Sequence, residues 1–260
     1  MRFPIWQVDA FASRLFGGNP AAIVPLQRWL PEATMQAIAA ENNLAETAFF
    51  VPQGDDYAIR WFTPVQEVPL CGHATLASGW VVLNKLDVDR QEVTFHSKSG
   101  PLRVLRGEAR RLALDLPSIP PGLAARNPQL VATLGAPPRE LFEGFQWLAV
   151  YESEAEVRAL KPDFPGLASL PLHAVIASAR GTDCDFVSRF FVPSAGINED
   201  PATGSAHSRL VPYWARVLGK SRLHARQISA RGAEFWCEIK GDRVILEGEV
   251  APYLEGTIEV

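Results

Sequence analysis

Cysteine is scarce. Cys71, Cys184 and Cys237 are the only three in 260 residues, too few and too scattered for a disulfide framework or a zinc knuckle. Basic runs are missing as well, and the formal net charge is −4, so no nucleic-acid partner is expected. No uninterrupted apolar segment has membrane-spanning length, so no membrane partner is expected either. The N-terminus, Met1 to Asp9, meets a carboxylate before any long apolar run, unlike a signal peptide. The five histidines, His73, His96, His173, His207 and His224, show no ligand spacing, so no metal is expected. There is no glycine-rich phosphate loop, which argues against a nucleotide cofactor. The expectation is a cytoplasmic, reduced protein that works without a cofactor.

What is present is an ordinary globular composition, 47% hydrophobic and 21% charged, enough for one large or two small cores. One stretch stands out: Asn198-Glu199-Asp200-Pro201-Ala202-Thr203-Gly204-Ser205-Ala206-His207. It sets carboxylates, small residues, a hydroxyl and an imidazole at the head of a helical run from Ala202 to Leu218. Small residues there let a ligand approach the backbone, and the unpaired N–H groups and helix dipole suit an anion. An ordinary N-cap, Asp200, followed by a first-turn Pro201 reads equally well from this stretch alone.

A second stretch, Pro69-Leu70-Cys71-Gly72-His73-Ala74-Thr75, opens another apolar run ending near Leu86. A shift of 132 places Pro69 on Pro201, Gly72 on Gly204, His73 on Ser205 and Ala74 on Ala206. The register continues, with Ser97 and Gly100 on Ser229 and Gly232, and Arg111–Asp115 on Arg243–Glu247. Phe62-Thr63-Pro64 meets Phe191-Val192-Pro193 at a slightly smaller shift. A constant register over some forty residues predicts a duplicated unit, with a site between the two copies.

In chain order the first half predicts strands at Phe3–Phe11, Ala21–Pro25, Leu44–Val51 and Tyr57–Thr63, with a helix over Pro31–Asn42. The helix from Gly72 follows, then strands near Val93–His96, Leu102–Leu105 and Leu112–Leu116. Pro117 to Pro138 is proline-rich and reads as a linker, with a short helix at Gln129–Leu134. The second half predicts strands at Trp147–Val150, His173–Ser178 and Asp185–Val192, and helices at Glu154–Leu160 and Ala202–Leu218. Strands near Arg226–Ser229, Glu234–Ile239, Val244–Glu247 and Thr257–Val260 close the chain. Pro212 should kink the second long helix. The fold class is therefore mixed α/β (α+β), with lobes at 1–117 and 118–250 and a C-terminal strand at 251–260 that returns to the first. Helices apolar on most faces must be surrounded, so each lobe is expected to curve a mixed sheet round one central helix.

Five segments in this order resemble the PhzF-like family of the diaminopimelate-epimerase-like fold. They are Val8-Asp9-Ala10-Phe11, Gly18-Asn19-Pro20-Ala21-Ala22, Asn43-Leu44-Ala45-Glu46-Thr47-Ala48-Phe49, Cys71-Gly72-His73-Ala74-Thr75 and Asp200-Pro201-Ala202-Thr203-Gly204-Ser205-Ala206. The resemblance covers nearly the whole chain. It implies two similar lobes, a site in the cleft between them, a small-molecule carboxylate substrate and a homodimer. It makes Glu46 the proton-transfer residue and places His73, Asp200 and Ser205 at the site. Diaminopimelate epimerases carry a catalytic Cys at the start of each central helix. Here Cys71 takes the first such place, and Pro201 stands where the second would be, which argues against a two-thiol epimerase.

The residues themselves fit acid/base work. Glu46 sits among Leu44, Ala45, Ala48, Phe49 and Phe50, the apolar setting in which a carboxyl moves protons at carbon. His73, at a helix start where positive charge is disfavoured, is expected to be neutral and to donate one hydrogen bond. Asp200 is placed to orient His73 or a substrate amine, or to relay a proton, and Ser205 to hydrogen-bond the ligand. Gly72 and Gly204 would offer N–H groups to a carboxylate or enolate oxygen. Cys71 reads as packing, His207 as structural, and Asn19 as a turn residue near Glu46. The expected reaction moves a proton between carbons of a small carboxylic acid. The rivals are a racemase or epimerase with Glu46 and Cys71 as its two bases, and a non-catalytic small-molecule binding protein.

Overall fold

The computed structural model describes residues 1–122 and 125–260. The chain divides into two compact units, Met1–Leu116 with Ile245–Val260, and Pro117–Val244. Leu123 and Ala124, within the stretch read as a linker, lie outside the described residues. Among the described residues no helix is long and apolar enough to cross a membrane.

The first unit runs β1 (Arg2–Ala10), β2 (Asn19–Pro25), α1 (Glu32–Asn42), β3 (Glu46–Gln53), β4 (Asp56–Phe62) and β5 (Glu67–Val68). It continues with α2 (Gly72–Val81), β6 (Glu92–Ser97), β7 (Gly100–Arg106) and β8 (Leu112–Pro117). The C-terminal strand Val250–Glu259 pairs antiparallel along β1, further than the sequence pattern indicated. Strands β2 and β3 are buried almost throughout, as strands covered on both faces must be. Ala22, Val24, Phe49 and Val51 join Met35, Ile38 and Ala39 of α1 in one core cluster. Ala21, Ile23 and Ala48 point the other way by the period of two, towards α2. Helix α2 touches β1, β2, β3, β6 and β7. A single helix reaches both early and late strands only if the sheet curves round it. Every residue from Gly72 to Gly79 is buried, as its all-round apolar sequence requires. Gly79 permits the closest approach: a Cβ there would stand 2.4 Å from Val104 Cγ1. A wide helical turn over Val82–Leu86 ends the run.

The second unit runs α3 (Pro128–Leu134), β9 (Glu140–Phe142), β10 (Gln146–Val150), α4 (Glu154–Ala159), α5 (Phe164–Ser169), β11 (Ala174–Arg180) and β12 (Phe186–Val192). It continues with β13 (Ile197–Asp200), α6 (His207–Leu218), β14 (Arg222–Gln227) and β15 (Ala233–Lys240). Residues of α3, α4 and α5 form one core with Trp147, Val175, Ala177, Val187 and Phe191. On the opposite face Trp214 of α6 donates from Nε1 to Ser178 Oγ at 2.9 Å.

Each unit shows the same order of pairings. Along β1-β2-β3-β4-β6-β7 the neighbours are antiparallel, parallel, antiparallel, parallel, antiparallel. The series recurs along β9-β10-β11-β12-β14-β15. Short β5 pairs with the end of β4, and short β13 with the end of β12. The sequence repeat is thus a repeat of topology, in a mixed α/β fold.

Two details differ from the sequence pattern. The α-helix expected from Ala202 begins at His207, after a tight 3₁₀ turn over Gly204–Ala206. Thr203 is still extended, at φ −112° and ψ 95°, because its N–H is held by Gln227 Oε1 at 2.8 Å. Pro212 lies inside α6, where it has no N–H for the Ser208 carbonyl one turn back. The Ile119 N–H takes that carbonyl instead, at 2.8 Å.

Candidate active site

In the first unit Glu46 opens β3, directly after Asn43 has closed α1 in a left-handed conformation (φ 49°). Parallel pairing sets Ala21 beside Glu46, so Asn19, two residues earlier on β2, faces the same side. His73, in the first turn of α2, meets both. Its Nε2 lies 3.1 Å from Glu46 Oε2, and its Nδ1 lies 3.2 Å from Asn19 Nδ2. Cys71 Sγ is 3.5 Å from Nδ1 and 4.0 Å from Nε2. His73 and Asn19 are buried, while the Glu46 side chain keeps 16% exposure. The ring side of the cluster, including Glu46 Oε2, is buried, and only the rest of the Glu46 side chain is partly exposed.

Burial works against a charged imidazole here, but Cys71 and Glu46 push the other way by more, and His73 ends well above the usual histidine range. The thiol stays protonated at neutral pH, because burial, then the Glu46 charge, pushes it up to about 11. The helix dipole is expected to disfavour positive charge on His73; the carboxylate at 3.1 Å pushes the ring's pKa the other way, upward. Glu46, Cys71 and His73 also have ligand-type atoms within 4.8 Å of one another, a donor set of mixed hardness. A cavity of about 800 Å³ elsewhere in this unit is walled by Trp80, Asn84, Arg106 and Glu249 and includes none of these residues.

In the second unit Asp200 ends β13, buried, and its Oδ2 accepts the Thr203 hydroxyl. Gln227, at the end of β14, spans this loop. Its Nε2 donates to the Asp200 carbonyl at 2.6 Å and to Thr203 Oγ1 at 3.2 Å, while its Oε1 accepts the Thr203 N–H. Ser229 Oγ donates to the Pro201 carbonyl at 2.8 Å, much as Ser99 Oγ donates to the Pro69 carbonyl in the first unit. Ser205 Oγ accepts from Gln146 Nε2 at 3.1 Å. No side-chain hydrogen bond caps the turn starting at Gly204 or the helix starting at Gly72. His207 is structural: fully buried, 4.0 Å from the Phe235 ring centroid, with Nδ1 3.0 Å from the Thr203 carbonyl oxygen. Burial pushes it down to about 4, so it is neutral at pH 7.

The structure thus brings Glu46, Gly72 and His73 together in one unit, and Asp200, Gly204 and Ser205 together in the other. Sequence reasoning understated Asn19 and Cys71. Both stood inside the motif segments, but a turn residue and a small buried thiol look the same in sequence as members of a polar cluster. Gln227 carried no sequence signal, because its partners lie 24 and 27 residues away.

The model of the phenazine biosynthesis-like protein family, PhzC–PhzF, matches residues 8–256. An uncharacterised isomerase of Pseudomonas aeruginosa is 48% identical over 260 residues, covering all of both chains. The crystal structure of a phenazine biosynthesis PhzF-family protein from Enterococcus faecalis superposes with a TM-score of 0.96 at 46% identity, again over all of both chains. A structure titled as a predicted epimerase of Pseudomonas aeruginosa shares the fold, with a TM-score of 0.79 at 20% identity over 99% of each chain. On this match, over motifs that frame the Glu46 cluster and the Asp200 loop, the chain belongs to the phenazine biosynthesis-like PhzC–PhzF family.

Proposed function

We propose that this protein is a cofactor-independent isomerase that moves a proton between carbons of a small carboxylic acid. The observation that carries the reading is the Glu46–His73 pair, a partly exposed carboxylate held 3.1 Å from a buried ring whose other face is fixed by Asn19. Glu46 takes a proton from one substrate carbon and returns it to another, and the double bond shifts between them. The electron pair released at carbon spreads onto the substrate carboxyl, where added negative charge needs donors. The N–H groups in the first turn of the helix starting at Gly72 are donors of that kind. Within the second unit, Asp200, Gly204 and Ser205 are assigned to the polar groups of a ligand. Members of this family named as isomerases support the reaction class.

Geometry favours one base over two. Racemisation places a base on each face of a carbon, with each reacting atom about 3–3.5 Å from it. Ligand-type atoms of Cys71 and Glu46 lie within 4.8 Å of each other, which is short for a carbon held between them. The raised thiol pKa also makes Cys71 a poor source of thiolate. Incubation of the protein with amino acids and cyclohexadiene-carboxylates in heavy water, read by mass spectrometry, tests the reading. Deuterium gained by one of these acids only with protein present is the expected result. A panel that gains none above the protein-free control contradicts it.

A further inference from the structure

Among the described residues, the second unit buries a cation with no carboxylate ion-paired to it. Arg209 lies on α6 one turn beyond Ser205 and is 7% exposed. Its Nη2 donates to the Glu143 carbonyl at 3.0 Å, and its buried Nε has no partner among the described residues. Burial pushes its pKa down, and no neighbouring acid counters that. Arg189 in the same unit shows the usual solution, with Glu199 at 2.7 Å. A guanidinium has five N–H donors, and burying one without a counter-charge is costly.

The chain makes room for this group. Gly144 lies against the guanidinium, and a Cβ there would stand 2.4 Å from Nη1, 2.6 Å from Cζ and 2.7 Å from Nη2. The same turn leads into Gln146, whose Nε2 donates to Ser205 Oγ. The Ser205 hydroxyl proton has no acceptor among the described residues, so it remains available to donate. Between Gly144 and Gln146 stands Phe145, 74% exposed, stacked on His173 with ring centroids 4.3 Å apart and planes 16° apart. Residues 143–146 thus contact Arg209 and Ser205 at the head of α6, and the same turn carries the exposed Phe145 ring.

We propose that Arg209 recognises the carboxylate of the ligand, with Ser205 donating to the same group and the Phe145–His173 pair flanking a planar, unsaturated body. The inference rests on the reading above that the substrate is a small carboxylic acid, and it names the residue that selects for the acid. It extends the site beyond the motif residues.

Titration calorimetry with benzoate, and with benzamide as its neutral counterpart, tests this without any turnover. Wild type should bind benzoate at least about tenfold more tightly than benzamide, since hydrogen bonds between charged partners are the stronger ones. Arg209→Met should lose that preference. Because it also removes the bond to Glu143, Gly144→Ala serves as a second variant: it keeps the arginine but displaces the guanidinium, and should lose the preference with circular dichroism unchanged. Benzoate failing to bind wild type, or a folded Gly144→Ala variant keeping the full preference, overturns the proposal. Benzoate binding that depends on Arg209 with no deuterium exchange into any acid would leave this assignment standing and remove the isomerase reading.

Discussion

His73 Nε2 stands 3.1 Å from Glu46 Oε2, with the ring buried and the carboxylate partly open. The contact couples two things that the sequence kept apart by 27 positions: the charge on a strand-end carboxylate and the protonation of a helix-start imidazole. Through it the carboxylate helps to hold the ring's pKa up.

Removing His73 should therefore change the pH dependence of stability in a set direction. Its folded pKa lies above the unfolded value of about 6.5. The stabilisation it provides is fully present below about pH 6.5 and is lost as pH rises through the folded pKa. Urea midpoints of wild type and His73→Gln should differ most on the acid side of about pH 6.5 and converge above the folded pKa. A difference that grows with rising pH would contradict the ion pair.

His207 should act in the opposite sense. Burial holds its folded pKa at about 4, below the unfolded value. Its contribution is present above about pH 6.5 and is lost as pH falls towards 4, about 3 kcal/mol in all at roughly 1.4 kcal/mol per pH unit. A folded His207→Asn variant should lose less stability between pH 7 and pH 4 than wild type. Equal losses would show that His207 does not set the acid limb.

Gln227 should hold the Asp200 loop. Replacing it with Leu keeps the approximate size but strands the buried Thr203 N–H and Asp200 carbonyl. Leaving a buried polar group unpaired costs about 1–3 kcal/mol, so with two groups stranded Gln227→Leu should destabilise by about 2–6 kcal/mol in urea unfolding. A loss under about 1 kcal/mol would mean the loop is held by other contacts.

The fold was legible where the signal is local or repeated. Strand alternation, the two apolar helices and the 132-residue register all follow from short-range patterns, and the pairing series in the two units matches the register. Legibility ended where partners are distant. Nothing near Gln227 in sequence points to Thr203, and nothing near Ile119 shows that its N–H will take the Ser208 carbonyl left over by Pro212. His73 was read from the helix dipole alone, and the upward push of Glu46 on its pKa shows only once the carboxylate is placed beside it. Arg209 went unnoticed because an arginine on a helix is ordinary until its burial and missing acid partner are seen.

The central claim is that Glu46 carries the proton. Glu46→Gln keeps the size of the side chain but cannot accept a proton, and general acid/base catalysis contributes roughly 10²–10⁴-fold. The direct measurement is the rate of deuterium incorporation from heavy water into the best-turned-over carboxylic acid, for wild type and Glu46→Gln at saturating acid. The account predicts that the variant still binds the acid and exchanges at least about 10²-fold more slowly. Exchange at the wild-type rate in Glu46→Gln would contradict it and move the search for the base to Cys71.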